Sequence, residues 1–100
     1  MKLSDIAQVI RSKNAGPRRL TLDIMFGSDA DYQRVVQSAA LATEAIGRLY
    51  RVPVDTVKII PYPAGKAIKI TIARTIMAGD PGDYDVYGAQ QHAPLLGIEI

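Results

Sequence analysis

Apolar positions recur along this chain with two different periods, and the change from one to the other marks the elements. Leu20-Thr21-Leu22-Asp23-Ile24-Met25-Phe26 starts as strict alternation and finishes apolar, which predicts a strand broken by Gly27. Ser28 then stands as a helix N-cap, and Asp29 and Asp31 fall in the first turn, where negative charge suits the helix dipole. From there Tyr32, Val35, Val36, Ala39, Ala42, Ile46, Leu49 and Tyr50 recur at helical spacing, with Gln33, Arg34, Gln37, Glu44, Arg48 and Arg51 largely opposite them. The pattern predicts one long amphipathic helix over roughly residues 29–50, stopped before Pro53, with Tyr32 and Tyr50 in the core.

Residues 57–62 read as a strand and 67–74 as another. In the second, Ile68, Ile70 and Ile72 share one face and Lys69, Thr71 and Ala73 the other. Pro63-Ala64-Gly65 supplies a turn, so the two form an antiparallel hairpin. Residues 95–100 read as a closing strand. Residues 3–10 fit either a short strand or two helical turns, and spacing alone leaves both open. Asn14, Gly16 and Pro17 mark residues 11–17 as a loop, and residues 77–94 show no regular period. Several strands with one helix imply an α+β class, the helix packed on one face of a mostly antiparallel sheet.

One hundred residues suffice for a single domain, residues 1–100, with a modest core. Hydrophobic residues make up 48% and charged residues 22%, a composition that argues against disorder. The net charge of +2 neither demands nor excludes an anionic partner. No cysteine is present, which removes disulfides, thiolate catalysis and cysteine zinc sites. Asp5 and Gln8 interrupt any apolar core of a secretory signal, and no apolar run reaches the roughly 20 residues that span a bilayer. The expectation is cytoplasmic residence without a membrane.

Two polar stretches carry candidate chemistry. In the first, Arg11, Ser12, Lys13, Asn14 and Gly16, with Arg18 and Arg19 close behind, combine cations, a hydroxyl and turn amides suited to a carboxylate or phosphate. The glycine spacing is not that of a phosphate-binding loop, and a solvated basic loop is the competing reading. The second, residues 79–92, holds Asp80, Asp83, Asp85, Tyr84, Tyr87, Gln90, Gln91 and the sole histidine, His92. A loop of that length without periodicity suggests function. Tyr87, Gln90 and Gln91 are candidate ligand contacts, and His92 with Asp85 a candidate acid/base pair, weighed against a structural role for the histidine. The aspartate spacing does not match a calcium loop, so neither metal nor cofactor is expected. One phenylalanine and no tryptophan leave nucleic-acid binding a weak alternative.

Two long segments, Asp5-Ile6-Ala7-Gln8-Val9-Ile10-Arg11-Ser12-Lys13-Asn14-Ala15-Gly16 and Asp85-Val86-Tyr87-Gly88-Ala89-Gln90-Gln91-His92-Ala93-Pro94-Leu95-Leu96, resemble a bacterial family of proteins of about this length associated with acyclic-terpene-utilisation proteins of the AtuA type. The chain is also similar to the small C-terminal domain of those proteins. Arg11, Ser12, Lys13 and Gly16 match its Arg-Ser-Gly-Asp-Lys-Gly loop in part, and Leu95, Leu96, Glu99 and Ile100 match its ending. Asn14-Ala15 departs from that loop, and the Gln90-Gln91-His92 segment has no counterpart there.

The resemblance implies a ferredoxin-like fold and makes residues 3–9 a strand. It also implies a small accessory or ligand-binding subunit beside a larger AtuA-type protein, acting on carboxylic acids or acyl-CoA thioesters, as part of a lyase or hydratase. Two other classes stand against this expectation. One is an independent small enzyme, acting as a homo-oligomer with His92 as acid/base, and the other is a regulatory ligand-binding module. All three rest on the two polar stretches meeting in space.

Overall fold

The computed structural model of the chain describes residues 1–16, 18–73 and 93–100. Its centre is a four-stranded sheet of β1 (Val9–Asn14), β2 (Arg19–Met25), β3 (Lys58–Tyr62) and β4 (Ala67–Ala73). The order across the sheet is β1-β2-β4-β3, and every neighbouring pair is antiparallel. β2 and β3 therefore run the same way with β4 inserted between them. The helical chain joining β2 to β3 must cross over β4, the arrangement of a split β–α–β unit. The helices are α1 (Leu3–Ile6), α2 (Asp29–Val36), α3 (Thr43–Tyr50) and α4 (Ala93–Leu96), with short 3₁₀ turns at Ala39–Leu41, Val54–Thr56 and Pro63–Gly65.

The two central strands supply the core because their inward residues meet in register. Leu20 lies opposite Ile72, Leu22 opposite Ile70 and Ile24 opposite Ile68, and all six are almost completely buried. Side chains alternate between faces along a strand, so these residues share one side of the sheet. Against it pack Leu3 and Ile6 of α1, Tyr32 and Val35 of α2, Ile46 of α3 and Leu95 of α4. The Phe26 and Tyr32 rings meet edge to face, 6.1 Å between centroids. The two ends of the described chain are tied by backbone bonds. The Leu3 N–H donates to the Ile98 carbonyl at 2.7 Å, and the Ile100 N–H to the Met1 carbonyl at 2.9 Å.

The strand expected at residues 20–26, the hairpin and the Ser28 cap are all present. The Asp31 N–H donates to Ser28 Oγ at 3.2 Å, a bond that typically contributes about 1 kcal/mol to a helix. Four expectations are corrected. The long helix over 29–50 is two helices, because the backbone turns extended at Ser38 and its Oγ accepts from the Ala40 N–H at 3.2 Å. A serine that caps the turn following it competes with continued helix. Residues 3–9 are not a strand. Leu3 and Ile6 are buried three residues apart, which is helical spacing, and the strand begins only at Val9. The segment Arg11–Asn14 is strand rather than loop. Residues 95–100 contribute the end of α4 and a single bridge, Lys2 to Glu99, instead of a closing strand.

Tyr50 is half-buried against the core rather than within it. Burial still pushes its phenol upward from the ordinary value of 10.0. The unfolded chain releases that proton near its ordinary value while the folded chain retains it. Stability contributed by this group is therefore intact below about pH 10 and falls as pH rises beyond it. Urea unfolding compared between pH 9 and pH 11 should show a smaller loss for Tyr50→Phe than for the parent chain. An equal loss in both would mean that the phenol titrates alike in the folded and unfolded states.

Candidate functional site

Among the described residues β1 is an edge strand, and its alternation divides the first predicted site between two faces. Ser12 lies opposite Leu22 and is 7% exposed, turned toward the helices with Ile10 and Asn14. Arg11 and Lys13 point the other way and are exposed. The strand forms because its small polar residues fit beneath the helix layer while its long cationic ones reach solvent. Gly16 turns the chain toward β2 with φ +102°, a conformation open mainly to glycine. Arg18 and Arg19 follow, both exposed. The structure thus keeps Arg11 and Lys13 together and sends Ser12 and Asn14 to the opposite side. The second predicted site, with Asp85, Tyr87, Gln90, Gln91 and His92, lies outside the described residues.

The face carrying Arg11 and Lys13 is ordered by the strand register. One row across the sheet reads Val9, Met25, Ala67, Tyr62. The next reads Arg11, Asp23, Lys69, Ile60, and the third Lys13, Thr21, Thr71, Lys58. Arg19 and Ala73 pair beyond it. The face is therefore graded, apolar and aromatic at one end and cationic at the other. With strands about 4.8 Å apart, the Lys13 and Lys58 backbones stand roughly 14 Å from each other across two threonines.

Asp23 is the carboxylate of these rows, set at their middle. Its side chain is 12% exposed, and Arg11 Nε lies 3.5 Å from its Oδ2. The register puts Lys69 on its other flank, but the Lys69 ammonium sits over the Tyr62 ring, 5.8 Å from the centroid. Arg11 and Lys69 thus have partners on the sheet itself, while Lys13, Lys58 and Arg19 are exposed cations at its far end. Such a surface can hold an anion through lysine and arginine donors. Sequence reading alone did not select Asp23, Lys58, Lys69 or Tyr62. The outward alternation of Lys69 and Thr71 was visible, but only the pairing register aligns them with Arg11 and Lys13.

On the helix side, at the β3 edge, an apolar cleft of about 320 Å³ opens between Val35, Val36 and Leu41 above and Ile59, Pro61 and Ile68 of the sheet. Among the described residues no charged side chain lines it. Among the described residues, no group of three histidines or carboxylates is placed to hold a metal ion, and no helix is long and apolar enough to cross a membrane.

A family model described as a domain of unknown function, DUF4387, matches residues 3–99. No curated protein and no solved structure matches the chain. The chain belongs to the DUF4387 family.

Proposed function

We propose that this DUF4387 domain is a small accessory or ligand-binding subunit that works with a larger AtuA-type protein on carboxylic acids or acyl-CoA thioesters, as part of a lyase or hydratase. The observation that carries the reading is the graded sheet face. Arg11 and Lys13, which belong to the segment resembling the AtuA-associated family, share it with Arg19, Lys58 and Lys69. Donors of this kind suit a carboxylate, a phosphate or an acidic neighbour. They are spread over a sheet surface instead of converging in a pocket, which favours a contact surface over a self-contained reaction centre. The fold is read as ferredoxin-like in its β2–helix–β3 crossover around β4, with β1 taking the edge beside β2.

The test is isolation of the tagged chain from its native cells under gentle conditions. A larger protein in stoichiometric amount is the expected result, with turnover of acyl substrates by the complex and none by the small chain alone. Turnover by the isolated chain, or its recovery without any larger partner, would overturn the accessory reading.

A further inference from the structure

We infer that the sheet face opposite the helices docks onto an acidic surface of a protein partner, with the cationic end providing charge complementarity and the apolar row the anchor. This rests on the accessory-subunit reading and names the surface and the partner chemistry it leaves open. Three features of the face converge on it. First, Arg11, Lys13, Arg19, Lys58 and Lys69 stand against Asp23 alone in these rows, so the face is strongly cationic although the whole chain carries only +2. Second, the helices place their buried apolar residues on the opposite side of the sheet, so no described helix covers this one, and while Thr21 and Asp23 at its centre are buried, Arg11, Lys13, Arg19 and Lys58 around them are exposed. Third, Val9 and Tyr62 are 41% and 47% exposed at the end of the face away from Lys13 and Lys58, and Ile60 in the middle row is 42% exposed. Exposed apolar and aromatic side chains beside a charged rim are the makeup of a protein–protein contact.

The same details weigh against other occupants. A second copy laid face to face would set cation against cation, with one carboxylate on each side to offset five. A nucleic acid would want aromatic rings free for stacking. Tyr62 is the aromatic residue in these rows, and Lys69 already lies over its ring. Asp23, held in the middle by Arg11, would face a phosphate backbone. An acidic protein tolerates that carboxylate, since Arg11 covers it, and gains from the lysines at both edges.

The experiment uses the full chain with poly-L-glutamate as a defined acidic polypeptide, and polyuridylate and phosphatidylserine vesicles as rival anions. Binding is read by fluorescence anisotropy and by amide NMR shifts at low and moderate salt. Poly-L-glutamate should bind most tightly, weaken with salt, and shift the amides of Arg11, Lys13, Thr21, Thr71 and Lys58. Lys13→Glu with Lys58→Glu should lose about tenfold or more in affinity. Lys13→Gln with Lys58→Gln should lose less. The helix-borne control Arg34→Glu with Arg48→Glu, which changes net charge equally, should stay close to the parent. Tighter binding to polyuridylate or vesicles, shifts concentrated on the helices, or equal loss in the control would overturn the inference.

The same variants, tagged in native cells, separate this inference from the reading beneath it. If the larger partner co-purifies with the parent and the control but not with the glutamate pair, both stand. If it co-purifies with all three, the docking face is wrong while the accessory role survives. If no partner appears with the parent but poly-L-glutamate still binds this face, the accessory role fails and the acidic specificity of the face holds.

Discussion

Leu22→Ala should cost about 3 kcal/mol of folding stability. Leu22 sits at the middle of β2 and is fully buried. Ile70 of β4 lies on one side of it and Ser12 of β1 on the other. Truncation removes the transfer energy of the lost carbons and leaves a cavity whose walls are two strands locked in register, so the site collapses poorly. One wall is the nearly buried Ser12, and a void beside a hydroxyl offers it no new partner. For a domain of this size, where total stability is of the order of 5–15 kcal/mol, the loss is a large share. Urea or guanidinium unfolding of parent and variant measures it, and the shift should appear in the midpoint with little change in slope. A loss below about 1 kcal/mol would mean that the β1–β2–β4 packing is looser than the register implies.

The placement of Leu22 also shows what the sequence could and could not disclose. β2 and β4 were legible because their inward residues are large and aliphatic at every second position, the one pattern that period-two burial cannot hide. β1 follows the same period but fills its inward positions with Ile10, Ser12 and Asn14. Two of these three are small polar residues, so composition reads as loop although the geometry is strand. An edge strand tolerates that because only one of its sides is paired. The break in the long helix was hidden for a related reason. Ala39, Leu41 and Ala42 continue an apolar stripe through the 3₁₀ turn, and only the Ser38 hydroxyl, bonded to the Ala40 N–H, reveals that the backbone has changed course.

For the candidate site, local reading identified the right cations in β1 and the wrong companions. Ser12, Asn14 and Gly16 are neighbours of Arg11 and Lys13 in the chain. Lys58, Lys69 and Asp23 are neighbours in the sheet, joined to them through contacts between residues up to about fifty positions apart. A pattern that depends on which strand lies beside which is set by the crossover from β2 to β3. No window of residues small enough to show periodicity contains it. The same limit explains the error at residues 3–9. Two helical turns and a strand give similar apolar spacing over so short a length, and the outcome is decided by the backbone tie between Leu3 and Ile98 and by the packing of α1 against α4.

Gly47→Leu should cost about 2 kcal/mol, and it tests the joint that delivers Lys58 to the sheet. Gly47 is buried within α3, where glycine is ordinarily unfavourable by about 1 kcal/mol relative to alanine. Its presence is explained by the chain that returns beneath it. A Cβ at this position would lie 3.1 Å from Val54 Cγ2 and 3.2 Å from the Val52 carbonyl oxygen. The valine methyl can give way. The carbonyl belongs to the same tight turn in which the Val52 N–H donates to the Gly47 carbonyl at 3.0 Å, so moving it strains the helix cap as well. Arg51 sits in that turn at φ 56°, already in the left-handed region, and has little freedom to absorb a shift. For alanine, the gain in helix propensity roughly offsets the close contact, and near-neutral stability is expected. Leucine adds three further carbons with no space to receive them. The displaced turn leads through Val54–Thr56 directly into β3, so the damage should spread to the edge that holds Lys58. Thermal unfolding gives the stability difference, and amide exchange in β3 reports whether that edge loosens with it. A leucine variant as stable as the alanine one, with β3 equally protected, would show that the turn yields freely and that glycine is not required for this close approach.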